Sequence, residues 1–318
     1  MKSLIEIPKT MKALVLHEIG KLTLDEVPVE PLRPGTVLVK IKACGICSSD
    51  VERVFINGTY HFPTIPGHEF SGQIVAVGDD VDESLLGRRT CVFPMLPCFE
   101  CPSCKKQQYA QCSHYDYFGS RRDGGYAEYL VVPTWNLVLF DDDLSYDVAA
   151  MCEPAAVGIH ANGLANVQKG QSVLVIGTGM IGYVCAAFAS QITDKVIMCG
   201  NSDNFEERIN ALTDGEGVDV VMEVVGSNQA ICNAVAAAGP NSTIVLVGNP
   251  KADLTMEKNL YWKILRKSIT LRGSWNSSYN DKQNDWKTAL DRLKGGEFDQ
   301  LITHRFPMEE SEEAFRVM

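Results

Sequence analysis

Apolar positions follow two regimes along the chain. Up to about residue 150 they come in short runs, "TVLVKIKAC" from Thr36, "FSGQIVAVG" from Phe70, "RRTCVFP" from Arg88 and "YAEYLVVP" from Tyr126, punctuated by glycine and proline. Such runs predict a β-rich first domain over residues 1–150. Beyond it stand "SVLVIG" from Ser172, "KVIMC" from Lys195, "VDVVMEVVG" from Val218, "STIVLVG" from Ser242 and "SITLRGSW" from Ser268. Near-continuous apolar runs between helical segments predict a parallel sheet buried on both faces, here over residues 151–275. No internal repeat interrupts either regime.

The second pattern has a gap. A complete half of a doubly wound sheet needs helix, strand and helix between Lys195 and Val218. Only "GNSDNFEERINALTDGEG" stands there, room for one helix, and the chain stops at "EEAFRVM" in mid-helix. The expectation is that residues are absent between Cys199 and Asn201 and after Met318, so that the native polypeptide is longer.

Val173–Ile192 carries no charge and has the length of a membrane span. Its glycines, Gly177, Gly179 and Gly182, suit a strand, a turn and a helix better. The N-terminal stretch lacks the apolar core and small-residue cleavage site of a signal peptide, which points to the cytosol.

Charge narrows the class of partner. A net charge of −11 opposes binding to a phosphate backbone, which relies on a surplus of lysine and arginine. A small anion needs only a local basic cluster and stays open.

Eleven cysteines, an odd number in a reducing compartment, argue for metal rather than disulfides. Four of them, Cys98, Cys101, Cys104 and Cys112, write as C-x2-C-x2-C-x7-C. Two-residue spacers let a tight turn aim successive thiolates at one tetrahedral zinc. Such a site has no open position, so this zinc is structural. "SVLVIGTGMIG" adds a glycine fingerprint, with Gly177, Gly179 and Gly182 framing Thr178, Met180 and Ile181 between a strand and a helix. There the diphosphate of NAD or NADP would rest on the helix N-terminus. The acidic residue that would select NAD should stand near Gly200. Glycine there leaves the choice between NAD and NADP open.

Three further stretches, "CGICSSD", "PGHEFSG" and "MCEPAAVGIH", are weak signals singly. Together with the cysteine loop and the fingerprint they form a constellation. The chain resembles the zinc-containing medium-chain dehydrogenases, and within them the polyol dehydrogenases. The resemblance runs from about Met11 to the last residue and is carried also by "YDYFGSRRDGGYAEYLVV" and "KILRKSITLRGSWNSSY". It implies an α/β protein: a GroES-like β-rich catalytic domain, a Rossmann-type doubly wound parallel sheet, and a segment 276–318 that returns to the first domain, with the active site in the cleft between.

The resemblance also implies a catalytic zinc on Cys47, His68 and Glu153. Glu69 is then an alternating ligand or a support behind the ligands, and Asp50 accepts the second ring N–H of His68. Ser49 would relay the released proton. Cys44 is then a small buried hydrophobe. The expected reaction is hydride transfer between a secondary alcohol of a polyol or polyol phosphate and NAD(P). Arg53, Arg121 and Arg122 are candidates for holding a phosphate, against the plainer reading of a solvated basic loop. Relatives of this kind form dimers or tetramers. A non-catalytic scaffold or a redox-sensing zinc module would leave the ligand set or the fingerprint without a use.

Overall fold

The structure, a computed structural model, describes residues 1–200 and 205–318, Glu206 by its backbone alone. These residues form two compact units, Met1–Glu153 with Tyr279–Met318, and Pro154–Ser278. The first divide falls in the opening turn of the helix Cys152–Ala165. The expected gap after Cys199 adjoins residues 201–204, which lie outside the described residues.

In the first unit a sheet runs in the order Leu137–Phe140, Arg89–Val92, Glu69–Val77, Thr36–Gly45, Tyr129–Pro133, with Lys2–Ser3 also pairing to Glu69–Val77. All of its pairings are antiparallel. Alternation within "TVLV" sorts the side chains. Val37 and Val39 enter one core with Phe70, Ile74, Val92 and Phe118, while Leu38 enters another with Met11, Leu14 and Val75. A one-residue slip would exchange the two faces, so the register is pinned by burial.

A hairpin, Thr10–Glu18 with Lys21–Pro28, supplies much of the second core. The return segment belongs to the same unit. Its Tyr279 stacks on Phe93 at 4.8 Å, and Trp286 meets Phe93 edge-on at 5.6 Å.

The second unit is built on five parallel strands in the order Val196–Cys199, Val173–Ile176, Val218–Glu223, Ala238–Leu246, Thr270–Gly273. Every residue of "VLVI" is buried because the sheet is covered on both faces. Leu174 and Ile176 pack with Ile209, Ala234 and Val235 from the helices Phe205–Thr213 and Asn228–Ala237. Val173 and Val175 pack with Ala161, Ala165, Cys185 and Ala189 from Cys152–Ala165 and Met180–Ala189. The chain leaves Val173–Ile176 for a neighbour on one side, then crosses to the other. That reversal opens the crevice where such sheets bind ligands.

The uncharged stretch Val173–Ile192 thus becomes a strand and a helix. No helix among the described residues is long and apolar enough to cross a membrane.

Candidate active site and zinc loop

The four-cysteine loop is closed by its own backbone. Pro102 opens a short helix, Pro102–Lys105, with Cys101 at its N-cap. Amide donors face the sulfurs: Cys98 N–H reaches Cys112 Sγ at 3.3 Å, Cys101 N–H reaches Cys98 Sγ at 3.4 Å, and His114 N–H reaches Cys112 Sγ at 3.4 Å. Amides of Cys104 and Ser113 pull the Cys101 thiol down to about 5. Burial, with Cys101 beside it, pushes Cys104 up to about 12.

A zinc with sulfurs at about 2.3 Å requires them about 3.8 Å apart in a tetrahedron. The sulfurs of Cys98 and Cys112 lie 3.5 Å apart, Cys98 and Cys104 3.9 Å, and Cys101 and Cys112 4.0 Å. These four residues fit the ion. Aromatic rings brace the loop: Trp135 meets Phe99 at 5.0 Å, Tyr109 at 5.2 Å and Tyr279 at 5.1 Å.

The second cluster is assembled from separate elements. Cys47 caps the helix Ser48–Glu52, whose third residue, Asp50, turns back so that Oδ2 accepts the Cys47 N–H at 3.3 Å. His68 and Glu69 enter where the strand Glu69–Val77 begins. His68 stands just before that strand, so strict alternation does not force its side chain away from that of Glu69. Across the ladder Glu69 pairs with Gly45. A Cβ at Gly45 would collide with Glu69 Oε2, so this glycine clears the space into which the carboxylate folds.

Cys47, His68 and Glu69 therefore offer ligand atoms all within 4.8 Å of one another. Cys44 is outside this group and packs against the apolar cores. Glu153 is also outside it. Its carboxylate is buried, and Oε1 accepts from the Tyr117 hydroxyl at 3.4 Å. Glu69 is thus grouped with the sulfur and the imidazole, and Glu153 stands outside that group.

Burial pushes the Cys47 thiol up, lifts Glu69 to about 8 and raises Glu153. Burial works against a charged His68, but Asp50 outweighs it and holds the imidazole well above its ordinary value. Three acidic groups forced towards neutrality in one buried place are what a divalent cation would reverse. One thiolate, one carboxylate and a neutral imidazole balance zinc, so this donor set fits it as well.

Around the donors, His68 Nδ1 lies 3.1 Å from Asp50 Oδ1, leaving Nε2 for the metal. Tyr126 donates to Asp50 Oδ2 at 3.0 Å. Ser49 donates to Cys47 Sγ at 3.3 Å and accepts from Arg53 Nη1 at 2.9 Å. The relay that the resemblance assigns to Ser49 requires its proton to leave that sulfur.

The three arginines have separate surroundings. Arg53 Nη1 also donates to Asp50 Oδ1 at 3.0 Å. Arg122 Nε lies 3.7 Å from an Asp116 carboxylate oxygen. Arg121 is held between the rings of Tyr60 at 4.1 Å and Tyr115 at 4.4 Å. Tyr117, Tyr126 and Gly45 escaped the sequence reading, because nothing in spacing or composition distinguishes them from core tyrosines and turn glycines.

At the glycine fingerprint, Gly177 takes φ +124°. A Cβ on Gly182 would strike the Gly177 carbonyl, so the strand can meet the helix this closely only without one. Gly179 caps the helix Met180–Ala189 with open space where a Cβ would stand and no side chain bonded to the first turn. Among the described residues no side chain caps the first-turn amides, those of Met180 and Ile181 among them, which suits an anion beside Thr178.

Residues 33–142 match the family Alcohol dehydrogenase GroES-like domain, and residues 156–295 match Zinc-binding dehydrogenase. Galactitol 1-phosphate 5-dehydrogenase of Escherichia coli K12 is 35% identical over 96% of both chains. The crystal structure of galactitol-1-phosphate dehydrogenase from Escherichia coli superimposes with a TM-score of 0.88 over 96% of both chains. Sorbitol dehydrogenase of Bacillus subtilis 168 is 29% identical over 97% of this chain and 93% of its own. A zinc-binding dehydrogenase from Sinorhizobium meliloti 1021, solved bound to NADP, is 25% identical with a TM-score of 0.86, covering 97% of this chain and 96% of its own. With an antiparallel β-rich unit matching the first family and a parallel-sheet unit the second, the chain belongs to the zinc-binding alcohol dehydrogenases.

Proposed function

We propose that the protein oxidises a secondary hydroxyl of a hexitol phosphate, galactitol 1-phosphate to tagatose 6-phosphate, with NAD or NADP as hydride acceptor. The observation that carries this reading is the convergence of Cys47, His68 and Glu69 in one cluster around the buried imidazole, with the buried Glu153 carboxylate nearby. Cys47, His68 and one of the two glutamates would hold a zinc there, while Cys98, Cys101, Cys104 and Cys112 would hold a structural one. Bound zinc supplies Lewis-acid polarisation of the substrate hydroxyl and eases loss of its proton.

The chain's own part is to orient. Asp50 fixes the His68 ring through Nδ1, the Ser49 hydroxyl steadies the Cys47 sulfur, and the open amides after Gly177 take the dinucleotide phosphates. The substrate loses one proton and one hydride, and the nicotinamide takes the hydride.

For the phosphate, Arg121 is the one of the three candidates with no carboxylate partner among the described residues, whereas Arg53 and Arg122 each face one. Flanking tyrosines hold its guanidinium flat while its charge remains available, which suits a phosphate. The likeness to sorbitol dehydrogenase supports a second reading, an unphosphorylated hexitol such as sorbitol.

Steady-state rates on paired hexitols separate the two. Galactitol 1-phosphate should exceed galactitol in kcat/KM by at least about tenfold, and Arg121→Gln should erase most of that gap. Equal efficiency on both removes the phosphate. The working form on this reading is a homo-oligomer, dimer or tetramer. The fully exposed edge strand Thr270–Gly273 supports it, and sedimentation measures it.

A further inference from the structure

Arg53 ends the helix that begins after Cys47, so it stands four residues past Ser49 and three past Asp50, on the same face. One atom, Nη1, donates to Ser49 Oγ at 2.9 Å and to Asp50 Oδ1 at 3.0 Å. Each acceptor touches a different candidate zinc ligand: Ser49 donates to Cys47 Sγ at 3.3 Å, and Asp50 Oδ1 faces His68 Nδ1 at 3.1 Å. We propose that Arg53 is a positioning residue that sets the sulfur of Cys47 and the ring of His68 together, through that single guanidinium nitrogen.

The chemistry of each link supports this. The Asp50 side chain has no exposure to solvent, and Arg53 keeps 23%. A carboxylate taken fully out of water needs a compensating cation and filled acceptor sites. Tyr126 and the Cys47 amide occupy Oδ2, and Arg53 and His68 share Oδ1. Without the guanidinium, Oδ1 loses its charged donor and the His68 ring is held by an uncompensated anion.

At Ser49 the hydroxyl has one proton. Arg53 fills an oxygen lone pair and thereby turns that proton towards the sulfur. Loss of Arg53 frees the rotor. Both effects reach the donors through bonds Arg53 makes to other side chains, and neither needs contact with substrate. Its charge is also partly spent on Asp50, which sets it apart from Arg121 as a holder of phosphate.

The inference rests on the zinc reading of Cys47 and His68, so the two are tested side by side. In the zinc-loaded protein, metal is titrated out with a chromogenic chelator, and the equivalent lost in Cys47→Ser is identified. Arg53→Gln should weaken retention of that equivalent by about 10- to 100-fold while leaving the cysteine-loop equivalent unchanged. It should also lower kcat on galactitol 1-phosphate and on galactitol by the same factor.

Arg53→Lys, which keeps the charge but loses the planar fork, should fall between the two. It carries the same test if the glutamine variant does not fold. Unchanged metal retention in both variants, with a rise in KM confined to the phosphorylated substrate, would overturn the inference and make Arg53 a phosphate ligand. If Cys47→Ser costs no metal equivalent, the zinc reading fails instead.

Discussion

Two cysteine-bearing clusters sit in the same unit and differ in nearly every physical respect. In the loop from Cys98 to Cys112 the donors are close in sequence and chemically identical, and backbone amides favour the thiolates of Cys98 and Cys101 before any ion arrives, while burial holds Cys104 protonated. In the cluster of Cys47, His68 and Glu69 the donors come from separate elements, and burial drives two of them away from their charged forms. The first arrangement is suited to holding a metal for good. The second offers three unlike donors, the number a catalytic zinc would take from protein if its fourth position is to receive substrate.

Removing one donor from each cluster should separate these roles. Cys47→Ala should cut kcat by on the order of a thousandfold, as expected when several kcal/mol of charge stabilisation are lost. Cofactor affinity, read by nicotinamide fluorescence titration, should stay unchanged. If turnover survives, the contrast fails. Cys101→Ser should lower the melting temperature by roughly 10 °C, because a structural metal's binding energy is folding energy. Cys47→Ala should shift that temperature far less.

Metal removal should also cost more as pH rises, through the cluster of Cys47, His68 and Glu69. Glu69, ordinarily near 4.5, is raised to about 8 by burial in the metal-free fold. A carboxyl raised on folding stabilises the fold while protonated and loses that contribution as pH climbs through its folded value. His68, also raised, carries the same sign. The chelated protein should therefore fall behind the zinc-loaded one between pH 5 and 8. Differential scanning calorimetry should show the gap widening by on the order of 5 °C. A constant gap would mean that the carboxylates are indifferent to the metal.

The smallest expected effect is that of Tyr117→Phe. It removes one long hydrogen bond to Glu153 and should lower kcat about two- to fivefold. No change would detach Glu153 from the chemistry.

Most of the fold was legible because each apolar run was decided locally. "SVLVIG" and "TVLVKIKAC" are strands to within a residue, and "VDVVMEVVG" is one up to Glu223, three residues short of its end. The hairpin Thr10–Glu18 with Lys21–Pro28 was not singled out, since the second strand is only partly buried and carries the successive acids Asp25 and Glu26. The cysteine loop was readable because its spacing is itself the geometry.

The second cluster was only partly so. That the Glu69 carboxylate joins the sulfur and the imidazole is helped by Gly45, which pairs with it across the sheet at a position no spacing rule connects. Likewise, three arginines that look alike in sequence acquire different partners. Asp50, Asp116 and two tyrosine rings decide among them.

The first unit is interrupted: its body, Met1–Glu153, and its last piece, Tyr279–Met318, are separated by the whole of the second. On a ribosome the first unit must therefore wait, with Phe93 and Trp135 lacking the Tyr279 ring, until Tyr279–Met318 emerges. The sheet of the middle unit is complete before that moment. Translation thus imposes an order of maturation in which the nucleotide-binding body can settle first and the metal-bearing one is sealed last.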